Sequence, residues 1–234
     1  MIPRIAIVFG TYNRLSYLKQ CVASIRKNAG TSFYDIIAVD GGSTDGTMEW
    51  LDEQGDCDYI WENPGLQGAV NAFNLGFEYA VKNGYQYVVH LNDDAELVTP
   101  DMLERARALI DSDPKIGEVA FAFDLRGGYD FDRWNGRIYA NFGMIRTEAG
   151  MQVAKRQGDP TGCKFWNPIY RTYGGDTEFG CWLHVLKWEV FPAFNLQVHD
   201  LNAQDSLRIK NNDGQTDSYL FQQRWGGAWE KVPA

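Results

Sequence analysis

The stretch Gln86-Tyr87-Val88-Val89-His90-Leu91-Asn92-Asp93-Asp94-Ala95-Glu96 constrains the fold of this chain more than any other. It begins as an apolar, β-branched run and ends in a cluster of carboxylates. Thr99-Pro100-Asp101 follows with the marks of a helix start: Thr99 as N-cap, Pro100 at the first helical position and Asp101 in the first turn. The pattern predicts a buried strand with acids at its C-terminal end, a short loop and a helix. In open α/β sheets, ligands bind just beyond the carboxyl ends of strands. Acids placed there can hold a hard divalent cation together with substrate phosphates. The plain alternative is a solvated acidic turn.

The rest of the first half repeats this grammar. Arg4 to Phe9 is a short apolar run broken by Gly10-Thr11-Tyr12-Asn13-Arg14, after which Leu15, Leu18, Val22 and Ile25 recur at helical spacing and stop near Asn28 and Gly30. Asp35 to Asp40 reads as a second strand, and Gly41 to Thr47 as a tight turn with Ser43 or Thr44 as N-cap of a helix reaching about Asp52. Tyr59-Ile60-Trp61 reads as a third, short strand. Val70, Phe73, Phe77 and Val81 mark one face of a helix after Asn63-Pro64-Gly65. Leu103, Ala106 and Ile110 mark the next helix, and Gly117 to Phe123 another strand. Such β-α alternation specifies an α/β fold with a mainly parallel sheet. Right-handed crossovers put the loops at Thr11, Asp40 and Asp94 on one edge.

The periodicity weakens after Asp124. Residues 125 to 178 are rich in glycine, arginine and aromatics, with one or two hairpins expected but not placed. Phe179 to Phe191 is apolar and expected to be structured, and Asn202 to Arg208 and Thr216 to Arg224 read as helical turns. The last residues, including Trp225 and Trp229, are expected either to pack as a tail or to stay mobile. Hydrophobic residues make up 44% of the 234, enough for a sizeable core. A net charge of −9 argues against general binding of nucleic acid or of anionic membranes. Cys21, Cys57, Cys163 and Cys181 are scattered and read as reduced thiols. With no signal-peptide pattern and no apolar run of roughly 18 to 20 residues, the expectation is a cytoplasmic protein without a transmembrane segment.

Four segments together resemble the GT-A glycosyltransferases of family 2. Val8-Phe9-Gly10-Thr11-Tyr12-Asn13-Arg14 resembles that family's opening strand and turn, and Val39-Asp40-Gly41-Gly42-Ser43-Thr44-Asp45-Gly46-Thr47 its "V-D-D-G-S-x-D-G-T" turn. Asn63-Pro64-Gly65 with Gly68-Ala69-Val70-Asn71-Ala72-Phe73-Asn74-Leu75-Gly76 resembles its "N-x-G…G-x-x-x-A-x-N-x-G" helix. Leu91-Asn92-Asp93-Asp94-Ala95-Glu96 resembles a variant of its D-x-D motif. The resemblance implies a single GT-A, Rossmann-like domain. Residues 1–124 would bind a nucleotide sugar, and an irregular second half, 125–234, would bind the acceptor and supply the base. It implies metal-dependent, inverting transfer of a hexosyl group from a nucleotide-diphosphate donor, UDP-sugar favoured, to a glycan, protein or small-molecule acceptor.

Residue by residue, the resemblance assigns Asp94 as direct ligand of Mn2+ or Mg2+. Asn92 stands where the family has Asp, keeping an acceptor oxygen and losing a charge. Asp93 becomes a ribose or supporting contact. The backbone at Thr11 and the carboxylate of Asp40 are expected on the nucleobase edge, with Asn13, Arg14, Gly42, Ser43, Gly68 and Asn71 completing the donor side. A strand-end cap remains the alternative for Asp40, an ion pair for Arg14, and a backbone brace for Asp45.

The resemblance thins in the second half. Gly180 to Phe191 is similar to the family's stretch before the catalytic loop, which makes Asp205, preceded by Gln204, the expected general base. Asp200 is a second candidate and Asp217 a third. His199 is an expected late metal ligand, and Trp182 the expected acceptor contact. His90, inside a strand, is expected to be buried and hydrogen-bonded, and His184 has no evident partner in the sequence. Two other readings compete: a sugar-phosphate nucleotidyltransferase, and a module that binds nucleotide or carbohydrate without catalysis.

Overall fold

A computed structural model describes residues 4–61, 65–125, 127–201, 205 and 214–226. The motif residues Asn63 and Pro64, Gln204, Trp229 and most of the expected turn 202–208 lie outside them. The first half runs β1 (Ile5–Thr11), α1 (Leu15–Asn28), β2 (Tyr34–Asp40), α2 (Thr47–Asp52), β3 (Cys57–Trp61), α3 (Ala69–Lys82), β4 (Tyr87–His90), β5 (Ala95–Leu97), α4 (Met102–Ser112) and β6 (Ile116–Leu125). The second runs β7 (Gly128–Asp130), β8 (Arg133–Trp134), β9 (Arg137–Ile138), β10 (Gly143–Arg146), α5 (Thr147–Arg156), α6 (Gly175–Val185), β11 (Glu189–Asp200) and α7 (Gly214–Trp225).

Among the described residues one nine-stranded sheet carries the fold, in the order β3-β2-β1-β4-β10-β6-β11-β5 with β7 added to β6. β3, β2, β1 and β4 are parallel neighbours, with Thr11 beside Asp40 and Val8 beside His90. The loops after Thr11, Asp40 and His90 therefore share one edge, as the crossover rule requires. β10 runs antiparallel between β4 and β6, and β11 pairs parallel with β6.

Both faces of the sheet are covered. Ile5, Ile7 and Phe9 of β1 pack with Leu18, Val22 and Ile25 of α1 and with Leu103, Ala106 and Ile110 of α4. Ala6 and Val8 face Val70, Phe73 and Phe77 of α3, with α5 and α6 continuing that layer. This double burial explains why the strands read as continuous apolar runs rather than alternations.

Two expected helix starts need correction. α2 begins at Thr47, not after Ser43 or Thr44, because Asp45 accepts from Thr47 N and Oγ1 and from Leu15 N, which makes it the backbone brace. α4 begins at Met102 with Asp101 at φ 53. Thr99 does not cap it: its hydroxyl donates to Asn195 O and accepts from Gln197 N, tying the loop to β11. Phe179 to Phe191 is structured as expected, as the end of α6, a turn and the start of β11. The unplaced hairpins are β6–β7 and β8–β9, the latter turning at Asn135-Gly136 with φ 47 and 77, the mirror-image geometry that Asn-Gly favours.

Candidate active site

A cavity of about 270 Å3 opens at the carboxyl ends of β1 and β4 and the N-terminus of α3. Thr11 and Arg14 enter it from the first loop, Gly68 from α3, and Asn92, Asp93 and Asp94 from the end of β4. The second half contributes Trp166, Tyr173, Asp176 and Asp200. Gly68 stands at φ +106, and a Cβ there would lie 2.4 Å from Arg171 O, so the close approach of that loop to the helix start requires glycine. The start of α3 is also tied by Val70 N to Arg171 O, 3.1 Å.

The carboxylate end of the cavity is built by pairing β4's exit with β11. Asp200 lies opposite Ala95 in the β11–β5 register, and Leu201 N donates to Asp94 O at 3.0 Å. Asp94 and Asp93 are 1% and 3% exposed. Arg14 is folded against them: its Nη1 is 2.9 Å from Asp93 Oδ1 and 3.5 Å from Asp94 Oδ2. Its Nε and Nη2 grip Asp205 at 2.7 and 3.0 Å, a bidentate pair. Burial pushes the Asp93 carboxyl up to about 6, against the downward pull of Arg14 and with help from the negative charge of Asp94. Asp93 Oδ2 is buried without a hydrogen-bond partner. Hard carboxylate oxygens on Asp94 and Asp200, with the Asn92 amide beside them, suit Mg2+ or Mn2+ bound jointly with phosphates. Among the described residues no three acidic, His or Cys side chains form a self-sufficient metal cluster.

Thr11 and Asp40 end adjacent strands, and Gly41 N donates to Thr11 O at 2.9 Å. Asp40 is fully buried. Its Oδ1 accepts from Gly42 N and Ser43 N, both at 2.8 Å, while Oδ2 is buried with no partner. The cap reading thus holds for one oxygen and leaves the other unspent.

Asp176, in the first turn of α6, also lines the cavity. Burial raises its carboxyl above the usual range, opposed by the Thr177 N–H and by the charge of His90. Trp166 is positioned by Asn74, whose Nδ2 donates to Trp166 O at 2.8 Å and whose Oδ1 accepts from Trp166 N at 3.1 Å. Asp176 is not among the site residues expected from the sequence. Its signal was available: Gly174-Gly175-Asp176 repeats the pattern of a glycine turn, an acid and a helix start.

The sequence profile of glycosyl transferase family 2 matches residues 6–173. The chain belongs to this family. Among solved structures, the mannosyltransferase PcManGT from Pyrobaculum calidifontis, in complex with GDP-Man and Mn2+, superposes with a TM-score of 0.67 at 17% identity, over 97% of this chain and 66% of that one. TarS 1–349 of S. aureus in complex with UDP-GlcNAc gives 0.62 at 14% identity, over 86% and 61%. The same TarS segment with UDP gives 0.64 at 14%, over 97% and 73%. This chain spans less than two thirds of the first two structures. The likenesses establish a GT-A fold. No curated protein matches the sequence.

In this family 2 chain several expected site residues lie elsewhere. Trp182 is 2% exposed, its indole Nε1 donating to Glu178 and its ring edge-on to Trp225, so it is core and not an acceptor contact. His199 does not line the cavity; its Nδ1 is bonded to Asp124. Strand alternation puts it and Asp200 on opposite faces of β11. Asp205 sits on Arg14 at the outer side, in a neighbouring groove with Asn13 and Asp45. Asp217 is 1% exposed and accepts the backbone N–H groups of Arg171, Thr172 and Tyr173, which makes it the brace of the cavity's aromatic rim rather than a base. Asn13 and Ser43 spend their side chains on each other's loops: Asn13 N donates to Ser43 Oγ, and Asn13 Oδ1 accepts from Thr44 N. Gly42, at φ +89, serves the Asp40 turn, and Asn71 is exposed beside the cavity rather than in its lining. His184 does have a partner, Ile138 O at 3.2 Å. Among the described residues no helix is long and apolar enough to cross a membrane.

Proposed function

We propose that the chain transfers a sugar from a nucleotide-diphosphate donor, UDP-sugar favoured, to an acceptor hydroxyl with inversion at the anomeric carbon. One observation carries the reading: a single cavity is lined both by Asp94 and Asp200, suited to a cation, and by Asp176, suited to accept a proton. Residues 1–124 supply the donor side, and 125–234 the base and the aromatic wall. The UDP preference draws support from the UDP-bound TarS likeness, and Mn2+ from the PcManGT complex.

Asp94, with Asp200 beside it, would hold Mn2+ or Mg2+ against the diphosphate. When bound there, the cation supplies positive charge for the leaving group. Asp40 Oδ2 offers an acceptor to the nucleobase edge. The N-terminus of α3 at Gly68 directs N–H groups toward phosphate oxygens. Asp176 takes the proton of the acceptor hydroxyl as its oxygen bonds to the anomeric carbon, and the electron pair of the breaking bond leaves with the diphosphate. A base on one side and a charged leaving group on the other suffice for one displacement, hence inversion. Asp176 takes precedence over Asp205 because it lines the cavity and its raised proton affinity suits a base, whereas Arg14 already claims both oxygens of Asp205.

The test pairs two isosteric variants, with UDP titrated calorimetrically with Mn2+ and with EDTA, and UDP-sugar turnover with water as acceptor. Asp94→Asn is expected to lose the Mn2+-dependent part of UDP binding. Asp176→Asn is expected to bind UDP normally and turn donor over on the order of a hundredfold more slowly. Wild-type turnover in Asp176→Asn refutes the base, and unchanged Mn2+ dependence in Asp94→Asn refutes the ligand.

A further inference from the structure

Of the aromatic residues that line the cavity, Tyr173 is the most exposed, at 40%. A ring on a surface loop ordinarily keeps its freedom. Here the loop beneath it is pinned. Asp217 of α7, itself 1% exposed, spends both carboxylate oxygens on three successive backbone N–H groups. Its Oδ1 accepts from Arg171 at 3.0 Å, and its Oδ2 from Thr172 and Tyr173 at 2.8 and 2.9 Å. Just before this stretch, Tyr170 turns inward and donates its hydroxyl to Glu178. Just after it, Gly175 packs on the Trp166 side chain, which a Cβ at that position would meet at 3.1 Å. Burying a carboxylate is costly unless it is well bonded, and this one is bonded to a surface loop and not to the core. The cavity wall also holds unspent polarity. Trp166 Nε1 and Asn141 Oδ1 are buried with no hydrogen-bond partner among the described residues, and both residues line the cavity. One is a donor and the other an acceptor, and a hydroxyl group can satisfy either.

We infer that the acceptor is a glycoside whose pyranose ring stacks on Tyr173, and that Asp217 is the positioning residue for that platform. This rests on the sugar transfer proposed above. A pyranose ring presents a face of C–H groups and a rim of hydroxyls. A rigid aromatic ring takes the face, and the indole N–H and the amide oxygen suit the rim. Because Asp217 holds the loop before any ligand arrives, little freedom is left to lose on binding. An acyclic polyol or a peptide hydroxyl offers no such face. Depth assigns the stacked ring to the acceptor and not to the donor. Asp40 and Asp94, on the donor side, are 0% and 1% exposed, whereas Tyr173 stands open to solvent three residues before Asp176, the group that takes the acceptor's proton.

The test titrates methyl pyranosides of glucose, galactose, mannose and N-acetylglucosamine into the protein, with and without UDP and Mn2+, and reads binding by saturation-transfer NMR. Ribitol and a serine peptide serve as probes without a ring. At least one pyranoside is expected to bind, with transfer strongest at its ring C–H protons, and neither of the other probes. Tyr173→Ala is expected to weaken that pyranoside about three- to tenfold, and Tyr173→Phe, which keeps the aromatic face, to retain it. Asp217→Ala is expected to weaken it as well, and the double variant Tyr173→Ala/Asp217→Ala no further than Tyr173→Ala alone, because Asp217 acts through the ring. Absence of pyranoside binding, equal binding of ribitol or the peptide, or unchanged affinity in Tyr173→Ala overturns the inference. Additive losses in the double variant overturn the role of Asp217. If Tyr173→Ala weakens UDP-hexose more than UDP and leaves the pyranoside untouched, the stacked ring is the donor's and the inference falls. If the pyranoside binds through Tyr173 while Asp176→Asn keeps wild-type turnover, the platform stands and the base assignment falls. If Asp176→Asn is inactive and no pyranoside binds, the base stands and the platform falls.

Discussion

Replacing Arg14 with Gln gives the most direct test of the electrostatics at the cation end. The guanidinium is 9% exposed and is the positive partner of Asp93 and Asp94, which are 4% and 1% exposed as side chains, and of Asp205, at 28%. Removing one partner of a buried pair costs about 3–5 kcal/mol because a charge is stranded. The more exposed Asp205 contact adds at most about 1 kcal/mol, since its carboxylate can rehydrate. Asp93 limits the loss: with its carboxyl pushed up to about 6, it protonates instead of staying charged once Arg14 is gone. The expected loss is therefore about 3 kcal/mol at pH 8, or a Tm drop of about 6–12 °C for a chain of this size. Urea unfolding in EDTA measures it. In the wild type, the raised Asp93 stabilises fully below its unfolded value near 3.8 and loses that contribution as pH climbs through 6. The penalty of Arg14→Gln should accordingly shrink between pH 8 and pH 5. A loss below about 1 kcal/mol at pH 8, or one that grows on acidification, refutes the argument.

Glu178→Gln should destabilise by about 2–3 kcal/mol, because a fully buried carboxylate accepts from Asn167, Tyr170, Trp182 and the Nε and Nη2 of Arg224. These donors hold the Glu178 carboxyl below its ordinary 4.5, so the wild-type advantage should be full above that value and fade as pH falls below it. A constant difference between pH 3 and pH 7 in urea unfolding argues against it. Trp182→Phe should lose stability through the same network while leaving the KM for acceptor unchanged; a rise in that KM would return Trp182 to the acceptor site.

The first half was readable because its information is local. Each strand is a β-branched run buried on both faces, each helix carries one apolar stripe, and the acids sit at a strand end where topology alone makes a ligand site. The place of Asp94 at a strand end facing the cavity needed no tertiary knowledge. The second half was opaque for the opposite reason. β10 has four residues and the β8–β9 ribbon two per strand, too short for any periodicity to register. α6 has Phe179, Gly180, Cys181, Trp182 and Leu183 buried in succession, leaving no polar face to reveal its period. Asp205, Asp200 and Asp176 look alike as letters. Only the path of β11 and the grip of Arg14 separate the cavity acids from the outer one. His199 and Asp200 differ by one residue, and in a strand that is the difference between two faces.

The strand inserted backwards at the centre of the sheet bears on how the chain can be made. β4 and β6 are both synthesised before residue 126, yet they share no hydrogen bond and wait for β10, residues 143–146, to join them. β5 waits longer still, for the end of β11 at Asp200. A nascent chain that has just completed residues 1–124 thus carries two open sheet edges at its middle, and the proposed cation site lacks Asp200. The sheet of the first half is completed only when the second half has been made. Separate expression of residues 1–124 would yield an aggregation-prone sheet fragment rather than a small nucleotide-binding protein.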